Sequence, residues 1–170
     1  MGYAHDITLE RRFAKIIKAI LGNYFIGQDP VHDKKQATDF EIFTVQPFTV
    51  GVRLRRHEYL QRYGQEFTIR WSRPSGVLTE IDKIRAGLVD YILYGFVDED
   101  ERRIVQYFIG DLSVFRAQEP EPIAIFPNNP PDSELAVYKL GQFPKAFVVK
   151  WWQREPVRAI REPCPAYVVG

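Results

Sequence analysis

The spacing of apolar residues changes period close to the N-terminus, and that change constrains the fold more than any other feature. Leu9, Phe13, Ile16, Ile17, Ile20, Leu21 and Tyr24 fall on one stripe of a 3.6-residue period. The spacing predicts an amphipathic helix, capped by Asp6 or Thr8 and stopped at Gly22-Asn23. From Thr38 the period becomes two, the signature of a strand. Thr38–Val45 alternates Asp39, Glu41 and Phe43 with Phe40, Ile42 and Thr44. Thr49–Arg55 sets Val50, Val52 and Leu54 against Gly51, Arg53 and Arg55. Glu66–Trp71 sets Phe67, Ile69 and Trp71 against Glu66, Thr68 and Arg70. The tight turn at Gln46-Pro47 predicts that the first two strands form a hairpin.

Further along, Arg73-Pro74-Ser75-Gly76 reads as a turn, and Thr79 as the cap of a short helix, Glu80–Ala86, with Asp82 reaching back. Gly87 ends that helix. The runs Tyr91–Val97 and Arg103–Ile109 follow, separated by the acidic turn Asp98-Glu99-Asp100-Glu101. Pro120, Pro122, Pro127, Pro130 and Pro131 exclude regular helix or central strand from the next stretch. Leu135–Leu140 and Ala146–Trp152 resemble short strands, and the proline-punctuated last fifteen residues read as an extended tail. The expectation is an α/β core over 1–118 with a β-rich, proline-rich extension over 119–170 packed on it.

Composition removes several function classes. An aromatic content of 14% argues against disorder. The single cysteine, Cys164, excludes an internal disulfide framework and a cysteine-based zinc cluster. No apolar run approaches the ~20 residues that span a bilayer, and the N-terminus lacks the apolar core of a signal peptide. A soluble, cytoplasmic protein is expected, in the host cytoplasm if it is viral. His5, His32 and His57 lack zinc-hydrolase spacing, and no glycine-rich phosphate loop occurs. The net charge of +1 conceals asymmetry. Residues 51–75 hold six arginines against two acids, whereas 76–101 hold seven acids against two bases.

The polar faces of the three early strands would gather Asp39, Glu41, Arg53, Arg55, Glu66, Thr68 and Arg70, and the following helix adds Glu80 and Lys83. Carboxylates beside cations suit a phosphodiester: acids hold a divalent cation, while cation and bases neutralise charge on phosphorus. Each residue also has a plainer reading. Asp39 can pair with Arg53, Glu66 can be a cross-strand partner, and Glu80 can complement a helix dipole. Lys83 can be an exposed helix lysine, and Glu10 an acid beside an apolar stripe.

The order of a helix with Glu10, a strand with Ala37-Thr38-Asp39, a strand with Val50-Gly51-Val52-Arg53, then strand and helix resembles the PD-(D/E)XK nuclease superfamily. So does the stretch Glu66–Arg70, Ser75-Gly76 and Thr79–Ile84, which is similar to small phage and bacterial proteins of this type. The resemblance covers roughly residues 6–116. It implies a restriction-endonuclease-like mixed sheet flanked by helices, and a Mg²⁺- or Mn²⁺-dependent hydrolase acting on DNA, including branched or repair structures. The motif is degenerate: Gly51 stands where the second acid belongs and Arg53 where the lysine belongs. The resemblance then implies Asp39 and Glu80 as metal ligands, with Glu66 as the alternative acid. Lys83 becomes the working amine and Glu10 a contributing acid, and Arg53, Arg55, Arg70 and Arg73 become phosphate contacts. The alternative is a nuclease-fold protein without catalysis that binds nucleic acid or a host partner. A third is a protein-interaction domain pairing into a homodimer through its aromatic extension.

Overall fold

The computed structural model describes residues 9–25, 48–128 and 132–154. The expected strand Thr38–Val45, its hairpin, Asp39, Glu41 and Cys164 lie outside the described residues, as does the tail.

The described chain is an α/β fold with one mixed and one antiparallel sheet. A helical turn at 9–12 leads into α1 (Ala14–Phe25). Then come β1 (Val50–Arg55), a 3-10 turn (His57–Tyr59), α2 (Leu60–Tyr63), β2 (Glu66–Ser72), α3 (Glu80–Arg85), β3 (Tyr91–Val97) and β4 (Ile104–Asp111). The order closes with α4 (Leu112–Gln118), β5 (Ala124–Pro127), β6 (Glu134–Lys139) and β7 (Val148–Gln153). The first sheet runs β1-β3-β4-β7, parallel at β1–β3 and antiparallel elsewhere. The second runs β2-β6-β5 and is wholly antiparallel.

The expected meander is therefore corrected: β1 and β2 are not neighbours in one sheet but members of two. Parallel pairing of β1 with β3 needs a long crossover, and residues 56–90, including β2 and α3, provide it. The chain beyond residue 118 supplies β5 and β6 to the second sheet and β7 to the first. Two helical pieces absent from the sequence reading, α2 and α4, also appear; Asp111 caps α4, its Oδ1 accepting from the Ser113 amide at 2.8 Å.

Period-2 alternation assigns the two faces of the first sheet. Leu54, Leu93, Tyr107 and Ile109 face outward and bury Leu9, Phe13 and Ile17 of the helical layer. Ile92, Tyr94, Phe96 and Phe108 face inward and pack against Phe67, Ile69, Ala136 and Tyr138 of the second sheet, with Ile81 and Ile84 of α3 at the margin. Phe67 is fully buried among five rings, those of Tyr94, Phe108, Tyr138, Phe143 and Phe147, at centroid distances of 5.5–6.2 Å. Such close approach needs a glycine at Gly110, where a Cβ would stand 2.8 Å from the Phe147 ring.

Tyr138 is also fully buried, and its hydroxyl has no hydrogen-bond partner among the described residues. Burial pushes its pKa from 10.0 up to about 12. The folded state thus keeps this ring neutral while the unfolded chain ionises it near 10.0, so its contribution to stability is intact below that pH and lost as pH rises towards about 12. Tyr138→Phe removes an unsatisfied group at little change of shape, and urea unfolding at pH 7 should show stability unchanged or raised by about 1 kcal/mol. The same variant should flatten the alkaline loss of stability. A drop of more than about 1 kcal/mol at pH 7 would contradict this account of the hydroxyl.

Candidate functional site

Where β1 and β2 face one another across the two sheets, the contact is polar. The alternation that buries Leu54 beneath the helical layer turns Arg53 and Arg55 towards the second sheet. Arg53 donates from Nη2 to Glu80 Oε2 at 2.7 Å, an ion pair whose side chains are 16% and 25% exposed. The same oxygen accepts the Arg70 backbone N–H at 3.0 Å. Arg70 lies on β2, the edge strand of its sheet, so Glu80 satisfies an amide that the ladder leaves unpaired. Glu80 Oε1 accepts no hydrogen bond among the described residues. Two residues along β1, Arg55 Nε donates to Tyr94 Oη at 3.0 Å and its Nη2 donates to Thr68 Oγ1.

Local sequence fixes the helix that carries Glu80. Thr79 is an extended N-cap whose Oγ1 accepts the Asp82 N–H, and Asp82 Oδ2 accepts the Thr79 N–H at 2.8 Å, completing the expected capping box. The helix ends as the sequence reads, with Gly87 at φ +70. There the Leu88 N–H reaches Lys83 O at 2.9 Å and the Gly87 N–H reaches Ile84 O at 3.0 Å, the Schellman pattern. Ile81 and Ile84 anchor the inner face, leaving Glu80 in the first turn beside β2.

The electrostatics are crowded. Burial pushes the Arg70 guanidinium below the usual arginine range, the neighbouring Arg53 and Arg73 push it further, and Glu80 and Asp132 oppose them. Asp82 is held below the ordinary carboxylate value by the Thr79 hydroxyl and then by the Thr79 amide. Arg73 lines a shallow depression with Pro74, Ser75 and Asp132.

The structure brings together Arg53, Glu80 and Arg70, with Arg55 and Arg73 close by. Lys83 is exposed one turn on from Glu80. Glu66 sits four residues up β2 from Arg70, roughly 13 Å along the strand, and its carboxylate lies 3.9 Å from Lys139 Nζ across the ladder. Glu10 is half-buried in the helical layer, which covers the face of the first sheet opposite Arg53. Among the described residues, no three His, Cys, Asp or Glu side chains are placed to hold a metal ion. Sequence reasoning missed Tyr94 and Asp132. Tyr94 sits at an inward position of an apolar run and reads as core, while Asp132 joins the site only through sheet pairing distant in sequence.

The fold and site thus define an α/β two-sheet protein with a carboxylate held by an arginine at the seam between its sheets. No helix of the described residues is long and apolar enough to cross a membrane. Comparison with protein-family models, curated proteins and solved structures finds no match.

The Arg53–Glu80 contact sets a stability expectation. Glu80→Ala leaves the Arg53 charge without an acid among the described residues and removes the acceptor of the Arg70 amide, and should cost about 1–3 kcal/mol in urea unfolding. A double-mutant cycle with Arg53→Ala should yield a coupling energy of about 1 kcal/mol or more. Strict additivity would mean that the ion pair contributes nothing.

Proposed function

We propose that the chain is a metal-dependent nuclease acting on DNA phosphodiesters, built on a restriction-endonuclease-like fold. The observation that supports this reading most is the state of Glu80: one carboxylate oxygen is fixed by Arg53 and the Arg70 amide, while the other has no partner among the described residues. A carboxylate anchored by one oxygen is already oriented, so ligation through the second costs little ordering, and Mg²⁺ needs only one or two such protein oxygens. When bound, Mg²⁺ or Mn²⁺ supplies charge neutralisation at phosphorus and a water of lowered pKa.

The chain's own groups then divide the work. Asp39 and Glu80 would hold the cation. Arg53, placed where a working lysine belongs in the superfamily motif, orients Glu80 instead, since a guanidinium accepts no proton at neutral pH. Arg70 and Arg73 would draw the phosphate in and Lys83, on the solvent side of α3, would orient the attacking water, while Arg55 holds β1 against β2 through Tyr94 and Thr68. Phosphate contacts carry no base code, so sequence preference is slight.

One observation favours the second reading, a nucleic-acid-binding module without catalysis. Arg53 already neutralises the carboxylate that a cation would use. Calorimetric titration of Mg²⁺ and Mn²⁺, paired with cleavage of linear, single-stranded and branched DNA, separates the two. The nuclease reading expects metal heat and cleavage in the wild type, both lost in Asp39→Ala and in Glu80→Gln. Salt-sensitive binding of intact DNA without metal heat would leave the module, and no DNA binding would sink both.

A further inference from the structure

A second surface, on the side of the first sheet opposite the Arg53–Glu80 seam, combines an exposed ring with unpaired cations. Register places Lys150 opposite Ile109 and Trp152 opposite Tyr107, both facing the helical layer. Alternation continues the row to Arg154, whose N–H bonds Val105 O at 2.8 Å just past the end of β7. One face of this edge strand therefore reads cation, indole, cation. Trp152 is 38% exposed and stacks on Tyr107, with ring centroids 5.6 Å apart and planes 24° from parallel. Tyr107 thus backs the indole, while the residue keeps 38% of its surface exposed. Trp151, by contrast, turns inward against the core between the sheets.

Cations predominate on this face, although Arg12 of the helical layer is paired with Glu101. Lys150 and Arg154 are exposed, as are Lys15 and Lys18 on the helical layer that covers the same side of the sheet. None of the four forms an ion pair among the described residues. A solvated face of mixed charge needs no ligand, but an aromatic ring held flat between two unpaired cations suits a strand whose bases alternate with phosphates. Duplex DNA hides its base faces in the stack, so the ring discriminates for unpaired nucleotides.

We infer that the outer face of the first sheet, along β7, binds single-stranded nucleic acid, with Trp152 stacking on an unpaired base and Lys150 and Arg154 engaging the flanking phosphates. This surface stands apart from the proposed hydrolytic centre and needs no metal.

The test is a titration of the full chain with oligothymidylate and with a duplex of equal length, in EDTA so that hydrolysis is silent, read by anisotropy of the labelled nucleic acid. The thermal melt of each variant is checked against the wild type. Trp152→Ala should weaken single-strand binding about tenfold or more while leaving duplex binding unchanged, and Trp152→Phe should restore most of it. Lys150→Gln with Arg154→Gln should lower the slope of log K against log salt by about 1.4, roughly 0.7 per cation. Wild-type affinity in Trp152→Ala, equal losses for single strand and duplex, equal competition by polyglutamate, or no binding of oligothymidylate by the wild type would each overturn the inference. A chain that binds the single strand through Trp152 but never cleaves DNA would sustain it and sink the nuclease reading.

Discussion

The contact on which the rest depends is the packing of Phe67 between the two sheets. Its ring joins inward residues of β3 and β4 to those of β6 and to Phe147, so one β2 side chain sets the separation and rotation of the layers. Burying an aromatic side chain of this kind is worth about 1.5–3 kcal/mol by transfer alone, and truncation costs about 3–5. With the layers fixed there, β1 and β2 face each other at the margin of that core. Polar side chains take over at that margin: arginines from β1, Thr68 and a backbone amide from β2, and Glu80 from α3.

The seam follows from the strands' alternation and from a shortage of hydrogen-bond partners. β2 is an edge strand, and its outward amide at Arg70 needs an acceptor. The capping box at Thr79 starts α3 where its first carboxylate can supply one. That carboxylate then attracts Arg53, which a period of two already aims inward. A single oxygen of Glu80 thus closes a sheet edge and neutralises a half-buried guanidinium, while its neighbouring oxygen has no partner among the described residues. The opposite side of the first sheet follows a different logic, with a basic helical layer and a basic, aromatic edge strand.

Much of this was legible in the sequence because it depends on local rules. Helical spacing in α1, the Thr79–Asp82 cap, the Gly87 stop and the strand character of β1, β2, β3, β4, β6 and β7 all arise from residues a few positions apart. What was not legible was which strands pair. Alternation in Thr49–Arg55 and Glu66–Trp71 states that each is a half-buried strand, not that they belong to separate sheets; that choice is made by β3 and β6, about forty and seventy residues further on. The gathering of Arg53, Arg70 and Glu80 was anticipated for one face of a meander and arises instead across two sheets. Tyr94 and Asp132 depend on that long-range pairing, so no local signal announced them; Glu66 was readable as a cross-strand partner, but its match with Lys139 was not. The helix α4 was overlooked beside a proline-rich stretch, although Asp111 already sits at its cap.

The proposed function rests on Glu80 being held through one oxygen, which would leave the other to ligate a cation together with Asp39. Anomalous diffraction from crystals of the full chain soaked in Mn²⁺ tests it most directly. The account predicts a manganese peak bonded to Glu80 Oε1 and to Asp39, with Arg53 Nη2 still on Oε2. An empty position beside Glu80, with Arg53 engaging both carboxylate oxygens, would contradict it and leave the seam a structural ion pair alone.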